Sequence, residues 1–185
     1  VTPGAASATY GAATPAFSAS YTGYIDGDVS PGSVSGSATW AVGGSFSSGG
    51  YACVGSHDVS YGGGLTSSLG YFFADNSASS AELTVTPLSV AVSGVSANNK
   101  IYDATRAAML TGTASVNKFV GDDVSASGGS GAFVDKNVGT GKAVTVSGYT
   151  LSGADAGNYS VVQPTGLKAN ITAKELTLAA TAANK

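Results

Sequence analysis

Glu82-Leu83-Thr84-Val85-Thr86-Pro87-Leu88-Ser89-Val90-Ala91-Val92 reads as two β-strands meeting at a proline. On both sides of Pro87 polar and apolar residues alternate with period two, the pattern of a strand with one buried face. Pro87 lacks an N–H and fixes its φ near −65°, and it drives Thr86 toward extended geometry. The chain is therefore predicted to leave one sheet and enter the next with almost no slack. The charge balance changes at the same place. Residues 1–87 hold Asp26, Asp28, Asp58, Asp75 and Glu82 with no Lys or Arg, whereas residues 88–173 mix six basic with five acidic residues. A proline and a charge break together mark a module boundary.

Working outward, the alternation recurs in His57-Asp58-Val59-Ser60-Tyr61, Ala143-Val144-Thr145-Val146-Ser147 and Tyr159-Ser160-Val161-Val162. These short runs are bounded by Gly, Asp, Asn or Pro, and each of those residues favours a turn. The only helix-like stretch is 104–110, on Ala content alone. The chain also repeats itself. Val1-Thr2-Pro3 returns as Val85-Thr86-Pro87 and, more loosely, as Ile171-Thr172-Ala173. A period of about 85 is too long for a solenoid, whose units run about 20–50 residues. It fits a tandem array of small domains. The expected architecture is all-β: two small Ig-like β-sandwich modules arranged end to end, over residues 1–87 and 88–173. Residues 174–185 would supply the first strand of a following repeat, and both ends read as cut from a longer chain. The expected core of the first module is Phe17, Tyr21, Tyr24, Trp40, Phe46, Tyr51, Tyr61, Tyr71, Phe72 and Phe73. That of the second is Tyr102, Leu110, Phe119, Phe133, Tyr149, Leu151, Tyr159 and Leu167.

Composition excludes several classes of function. Gly, Ala, Ser and Thr make up more than half of the 185 residues, and charged residues only 10%, against about 25% in an average soluble chain. Eight basic residues against eleven acidic ones leave no electrostatic footprint for nucleic acid. No apolar run reaches the roughly 18 residues of a membrane-spanning helix. No signal-peptide pattern opens the chain. One Cys and one His offer little for a metal cage or a nucleophile–base pair, and no disulfide can form within the chain.

Four blocks in the second half carry a resemblance. They are Val95-Ser96-Ala97-Asn98-Asn99-Lys100-Ile101-Tyr102-Asp103-Ala104-Thr105, Gly121-Asp122-Asp123-Val124, Phe133-Val134-Asp135-Lys136-Asn137-Val138-Gly139-Thr140-Gly141-Lys142, and Leu151-Ser152-Gly153-Ala154-Asp155-Ala156-Gly157-Asn158-Tyr159. In this order they resemble a YDG-type domain. Ala104 stands where that family's name-giving Gly usually sits, so this position is expected not to need a positive φ. Thr9-Tyr10-Gly11, Pro15-Ala16-Phe17, Gly23-Tyr24, Gly27-Asp28 and Leu83-Thr84-Val85-Thr86-Pro87 resemble an MBG-type domain, with nothing to anchor it between Val29 and Gly55. The resemblance implies sandwich-like repeats of large bacterial surface proteins, including filamentous-haemagglutinin-like adhesins exported by two-partner secretion. It further implies an extracellular stalk that projects a distal binding domain. Its partners would be neighbouring repeats and, through other domains, a host or matrix glycan or protein. The residues expected to hold the structure are Pro87, Tyr102, Asp103, Phe133, Asp155, Asn158 and Tyr159.

Candidate chemistry is sparse. Asp26, Asp28, Asp122 and Asp123 could offer carboxylates to Ca²⁺, which takes six to eight oxygen ligands; the alternative is an Asp turn bonded to its own backbone. No other cofactor is expected. His57 reads as a histidine at a sheet edge or surface, with Asp58 on the opposite strand face. Cys53 reads as a small buried or half-buried apolar residue. Gly62-Gly63-Gly64 and Gly128-Gly129-Ser130-Gly131 read as loops or bulges, because no Gly-Lys-Ser/Thr follows to cradle a phosphate. Lys100, Lys136 and Lys142 are either solvated loop charges or isopeptide donors to a residue such as Asn137 or Asp135. Eleven of the sixteen aromatic residues fall in the first module. If exposed, they would favour a carbohydrate- or receptor-binding module over a stalk. No enzyme is expected.

Overall fold

The computed structural model describes residues 2–20, 22–25, 33–74 and 81–180. Among the described residues fourteen strands run in the order β1 (Thr2–Pro3), β2 (Ala6–Thr9), β3 (Ala19–Ser20), β4 (Val34–Val42), β5 (Gly55–Ser67), β6 (Ala81–Thr86), β7 (Leu88–Ala97), β8 (Lys100–Ile101), β9 (Ala107–Ala108), β10 (Leu110–Val116), β11 (Ser125–Phe133), β12 (Gly139–Ser152), β13 (Tyr159–Val162) and β14 (Lys168–Thr172). A 3₁₀ turn at Ala156–Asn158 precedes β13, and no α-helix occurs among the described residues. The helix-like stretch 104–110 is a turn followed by β9 and the start of β10. Ala-rich composition is a weak prior that strand pairing overrides. Here Ala107 and Ala108 pair with Ala132 and Gly131 of β11.

These strands form the sheets β1-β3, β2-β6-β5-β4, β10-β7-β13 and β8-β14-β12-β11-β9. Pro87 is the single residue between β6 and β7. The chain divides into two compact units. One comprises Val1–Ser89, Lys118–Val124 and Gly153–Ser160; the other comprises Val90–Asn117, Ser125–Ser152 and Val161–Lys185. Two loops from beyond Pro87 thus belong to the compact unit built on the chain's first 89 residues.

The second unit is built around Phe133, which is wholly buried, with Val92, Ala108, Val144, Val146, Tyr149, Ala169 and Ile171 about it. Half-buried Tyr102, Leu110 and Leu167 pack against this cluster. In the first unit Tyr10, Val59, Leu83, Val85, Val124 and Tyr159 are buried. None of the described aromatics expected for the first module's core is fully buried, and Tyr21 lies outside the described residues. Phe46 and Phe72 are exposed. Tyr10, absent from that expectation, is the fully buried one. It directly follows β2, whose residues alternate half-buried and exposed, so the same face continues into Tyr10.

The glycine runs lie inside strands β5 and β11. The first coincides with register shifts between β4 and β5, which makes it a bulge. The second pairs in regular register with β12. There Gly129 has φ +89°, and the Tyr149 ring covers the space that a Cβ would occupy. Glycine is required at that position so the ring can lie flat over the strand. His57 is neither at an edge nor on the surface. β5 is an inner strand, and His57 is 3% exposed with Nδ1 2.8 Å from the Gly43 carbonyl and Nε2 2.6 Å from the Cys53 carbonyl. A ring N–H donated to one of these backbone carbonyls lets a polar residue occupy an inward position.

Ala104 departs from expectation. Its φ is +64°, and it is the one non-glycine residue at positive φ among the described residues. The Asp103 carboxylate holds the turn, accepting from the Thr105 N–H (2.9 Å), the Thr105 hydroxyl (2.9 Å) and Lys100 Nζ (2.8 Å). The Lys100 ammonium, first, and the Thr105 donors, next, bring the Asp103 carboxyl down to about 2. Lys100 Nζ also donates to the carbonyls of Thr105 (2.8 Å) and Ala107 (2.9 Å). An L-residue at left-handed φ costs roughly 1–2 kcal/mol. Ala104→Gly is therefore expected to stabilise the chain by about 1 kcal/mol, less than the full strain because glycine also loosens the unfolded state. Equilibrium urea unfolding reads this directly, and an unchanged or lower midpoint would refute the strain.

Candidate functional site

The densest polar arrangement lies in the first compact unit, where three loops meet. The first is a small hairpin in which Phe46 and Ala52 form a bridge. Ser47-Ser48-Gly49-Gly50 is its turn, closed by the Gly50 N–H on the Ser47 carbonyl at 2.9 Å. Such a turn leaves the N–H groups of its two central residues without partners of their own. Both are taken by carboxylates: the Ser48 N–H donates to Asp155 Oδ1 at 3.1 Å, and the Gly49 N–H to Asp122 Oδ1 at 3.0 Å. A side chain at Gly49 would collide with that same Asp122 oxygen.

Asp122 sits in the loop Lys118–Val124 and is 3% exposed. Its Oδ2 accepts two hydroxyls, from Tyr10 at 2.5 Å and from Tyr159 at 2.6 Å. Residues 112 and 37 positions away in sequence thus converge on one oxygen. The Tyr159 hydroxyl in turn accepts the Phe119 N–H at 3.0 Å. The rings support this geometry. Tyr10 meets Tyr159, Tyr51 and Phe119 edge-on at centroid distances of 5.2, 5.8 and 5.8 Å, the arrangement that aromatic quadrupoles favour.

Asp155 and Asn158 complete the latch from the loop Gly153–Ser160. Asp155 Oδ2 accepts the Asp123 N–H at 2.8 Å, which ties the two loops together, while its Oδ1 holds Ser48. Asn158 Oδ1 accepts the Val54 N–H at 2.8 Å, and its Nδ2 donates to Cys53 Sγ at 3.8 Å. The 3₁₀ turn at Ala156–Asn158 sets Asp155 and Asn158 at its two ends, both buried.

Burial alone would raise the Asp122 carboxyl. The hydroxyls of Tyr10, Tyr159 and Ser47 and the Gly49 N–H outweigh it and hold the group below the usual carboxylate range. Asp155 is also lowered, chiefly by the Asp123 N–H. Burial first, then the bond to Asp122, pushes Tyr159 up to about 12 and raises Tyr10 as well. The signs give a pH window. The carboxylates' contribution is present above the ordinary value of about 4 and is lost as pH falls through their lowered values. The tyrosines' contribution is complete below about 10 and is lost as pH rises through about 12. The urea midpoint should therefore be flat between about pH 5 and 9 and fall on both sides. Replacing Tyr10 and Tyr159 by Phe should flatten the alkaline limb, and an equally steep limb in that variant would rule the tyrosines out as its cause.

Asp122 and Asp123, the calcium candidates among the described residues, do not assemble a cage. Asp26 and Asp28 lie outside the described residues. Asp122 faces hydroxyl and N–H donors, and Asp123 Oδ2 accepts the Ala154 N–H at 3.0 Å. Calcium requires convergent oxygen lone pairs, and no group of three His, Cys, Asp or Glu converges among the described residues. Among the lysines, Lys142 donates to Asp135 at 2.5 Å and Lys100 braces its own turn. Both act as loop ties, and Lys136 is exposed. Sequence reasoning placed Asp122, Asp123, Asp155, Asn158 and Tyr159 in one domain, and the structure brings them together. Tyr102, Asp103 and Phe133 belong to the second unit, and Pro87 is exposed. Tyr10 and the turn 47–50 were missed as partners, though Thr9-Tyr10-Gly11 and the Ser-Ser-Gly-Gly turn signal were visible.

No curated protein and no solved structure matches the chain. The carboxylate side of the latch, from Asp122 to Tyr159, falls within one family match, and Tyr10 and the 47–50 turn precede it. Residues 86–166 match the model of the YDG domain.

Proposed function

We propose that this chain is a stalk segment of a large secreted bacterial surface adhesin. It consists of an MBG-type sandwich module over residues 1–87 and a YDG-type sandwich module over residues 88–173, with residues 174–185 opening a further repeat. It works without catalysis, outside the cell, and its partners are neighbouring repeats. A distal domain contacts the host or matrix glycan or protein. The observation that carries this reading is the latch. A YDG domain whose Asp122, Asp155, Asn158 and Tyr159 hold the segment before it is suited to tandem use under tension. Pulling on the chain's two ends should give an unfolding force peak that drops in Asp122→Ala, and labelling of intact cells should find the parent protein at the surface. Extension without a peak, or a parent protein confined to the cell interior, would overturn the reading.

A second reading rests on a cleft of about 200 Å³ lined by Tyr24, Tyr71, Phe72 and Phe73, with Phe72 88% exposed. Exposed rings can stack on sugars, so this cleft fits the carbohydrate-binding alternative. Glycan binding abolished by Phe72→Ala would favour it; no glycan binding by the intact chain would remove it.

A further inference from the structure

The two four-strand sets β2-β6-β5-β4 and β8-β14-β12-β11 share one topology. In each, a short first strand lies parallel to the last: Thr9 pairs with Thr86 in one set, and Ile101 with Thr172 in the other. The next residue is a tyrosine in both. Its N–H donates to that same threonine carbonyl at 2.8 Å, Tyr10 to Thr86 and Tyr102 to Thr172. Tyr102 is therefore the positional equivalent of Tyr10.

Their surroundings differ. Tyr10 is 1% exposed because the YDG loops supply Phe119, Tyr159 and the Asp122 carboxylate. Tyr102 is half-buried against its own core, and its hydroxyl has no hydrogen-bond partner among the described residues. A second observation points the same way. β6 is followed by Pro87 and then by β7, which enters the YDG domain at Leu88. β14 is followed by Leu176-Thr177-Leu178-Ala179, an alternating run whose leucines are 88% and 100% exposed.

We propose that Tyr102 is a docking site for a second YDG-type domain following in the same chain. That domain's counterpart of Asp122 would accept the Tyr102 hydroxyl as Asp122 accepts that of Tyr10. The inference rests on the tandem-repeat reading above and names the contact that joins successive repeats. One contact does not transfer. The Phe119 ring occupies the space a side chain at Gly11 would need, whereas Asp103 follows Tyr102. The Asp103 charge is balanced by Lys100 Nζ at 2.8 Å, so it does not repel an incoming carboxylate.

The test uses the full chain and the same chain carrying a second copy of residues 88–173 after Ala173. Tyrosine nitration by tetranitromethane is followed by peptide mass spectrometry. Tyr102 should react at least tenfold more slowly in the extended chain, and Asp122→Ala in the copy should restore its rate. The copy's own equivalent of Tyr102 should stay reactive and serves as the internal control. Equal rates in the two chains would overturn the proposal. A copy that stays unfolded would overturn it too, because the docking face is what completes that domain. The pulling and surface-labelling results do not enter this outcome, so the stalk reading and the docking contact can fail separately.

Discussion

Asp122→Ala is expected to lower the free energy of unfolding by roughly 4 kcal/mol. Hydrogen bonds to a charged acceptor contribute about 1.5–3 kcal/mol each, and Asp122 accepts two hydroxyls and one N–H at 2.5, 2.6 and 3.0 Å. Alanine leaves Tyr10 without its partner in a pocket where that residue is 1% exposed. Against a typical domain stability of about 5–15 kcal/mol, a loss of this size is a substantial fraction of the whole. Asp122→Asn separates charge from shape. If the amide oxygen takes the place of Oδ2 and keeps both hydroxyls, the amide NH₂ then faces the Gly49 N–H, donor against donor. About half the loss should remain. A double-mutant cycle with Tyr10→Phe should give a coupling energy well above the roughly 0.5 kcal/mol scatter of independent sites. Additive effects would mean that the 112-residue connection is a contact without energetic weight.

Much of the architecture was legible because strand periodicity is a local signal. The alternation around Pro87 placed β6 and β7 with one residue between them. Val85-Thr86 and Ile171-Thr172, read in the sequence as a repeat, lie in β6 and β14, each paired in parallel with a short strand. The sequence signal ran out where long-range partners decide conformation. Ala104 carries a helix-forming side chain, yet the bonds of Asp103 to Lys100 and Thr105 hold it at φ +64°. His57 shares its strand face with buried Val59, and a ring N–H donated to a backbone carbonyl allows the polar side chain inside, which its residue type did not signal. Gly121-Asp122-Asp123 reads equally well as a turn or as a cation ligand. Only the arrival of Tyr10 from the chain's start decides that its carboxylate is an acceptor for hydroxyls. The compact units show the same limit. Local composition marks a boundary at Pro87, but the membership of residues 118–124 and 153–160 in the first unit follows from bonds whose partners lie up to 112 residues apart.

Tyr159→Ala is expected to cost about 3–5 kcal/mol, the range for removing a large buried aromatic side chain. Tyr159 is 6% exposed, begins β13 directly after the 3₁₀ turn, and has the Tyr10 ring edge-on at 5.2 Å. Two separable contributions make up that loss. The ring fills space between the two loops, and deleting it leaves a cavity beside Tyr10. The hydroxyl donates to Asp122 at 2.6 Å and accepts the Phe119 N–H at 3.0 Å, so it fixes one loop to another through a single oxygen. Tyr159→Phe keeps the ring and removes only that oxygen. It leaves the Phe119 N–H unpaired, which should cost about 1–3 kcal/mol. Urea unfolding of both variants partitions the two contributions, and hydrogen exchange at the Phe119 amide, faster in Tyr159→Phe, locates the second. If Phe and Ala cost the same, the ring contributes nothing and the residue is a hydrogen-bonding post alone. If Phe costs nothing, the corner is held by packing, and Asp122 keeps its place through Tyr10 and Gly49. The geometry requires an intermediate result, because Tyr159 is placed by its ring while its hydroxyl places Phe119 and Asp122.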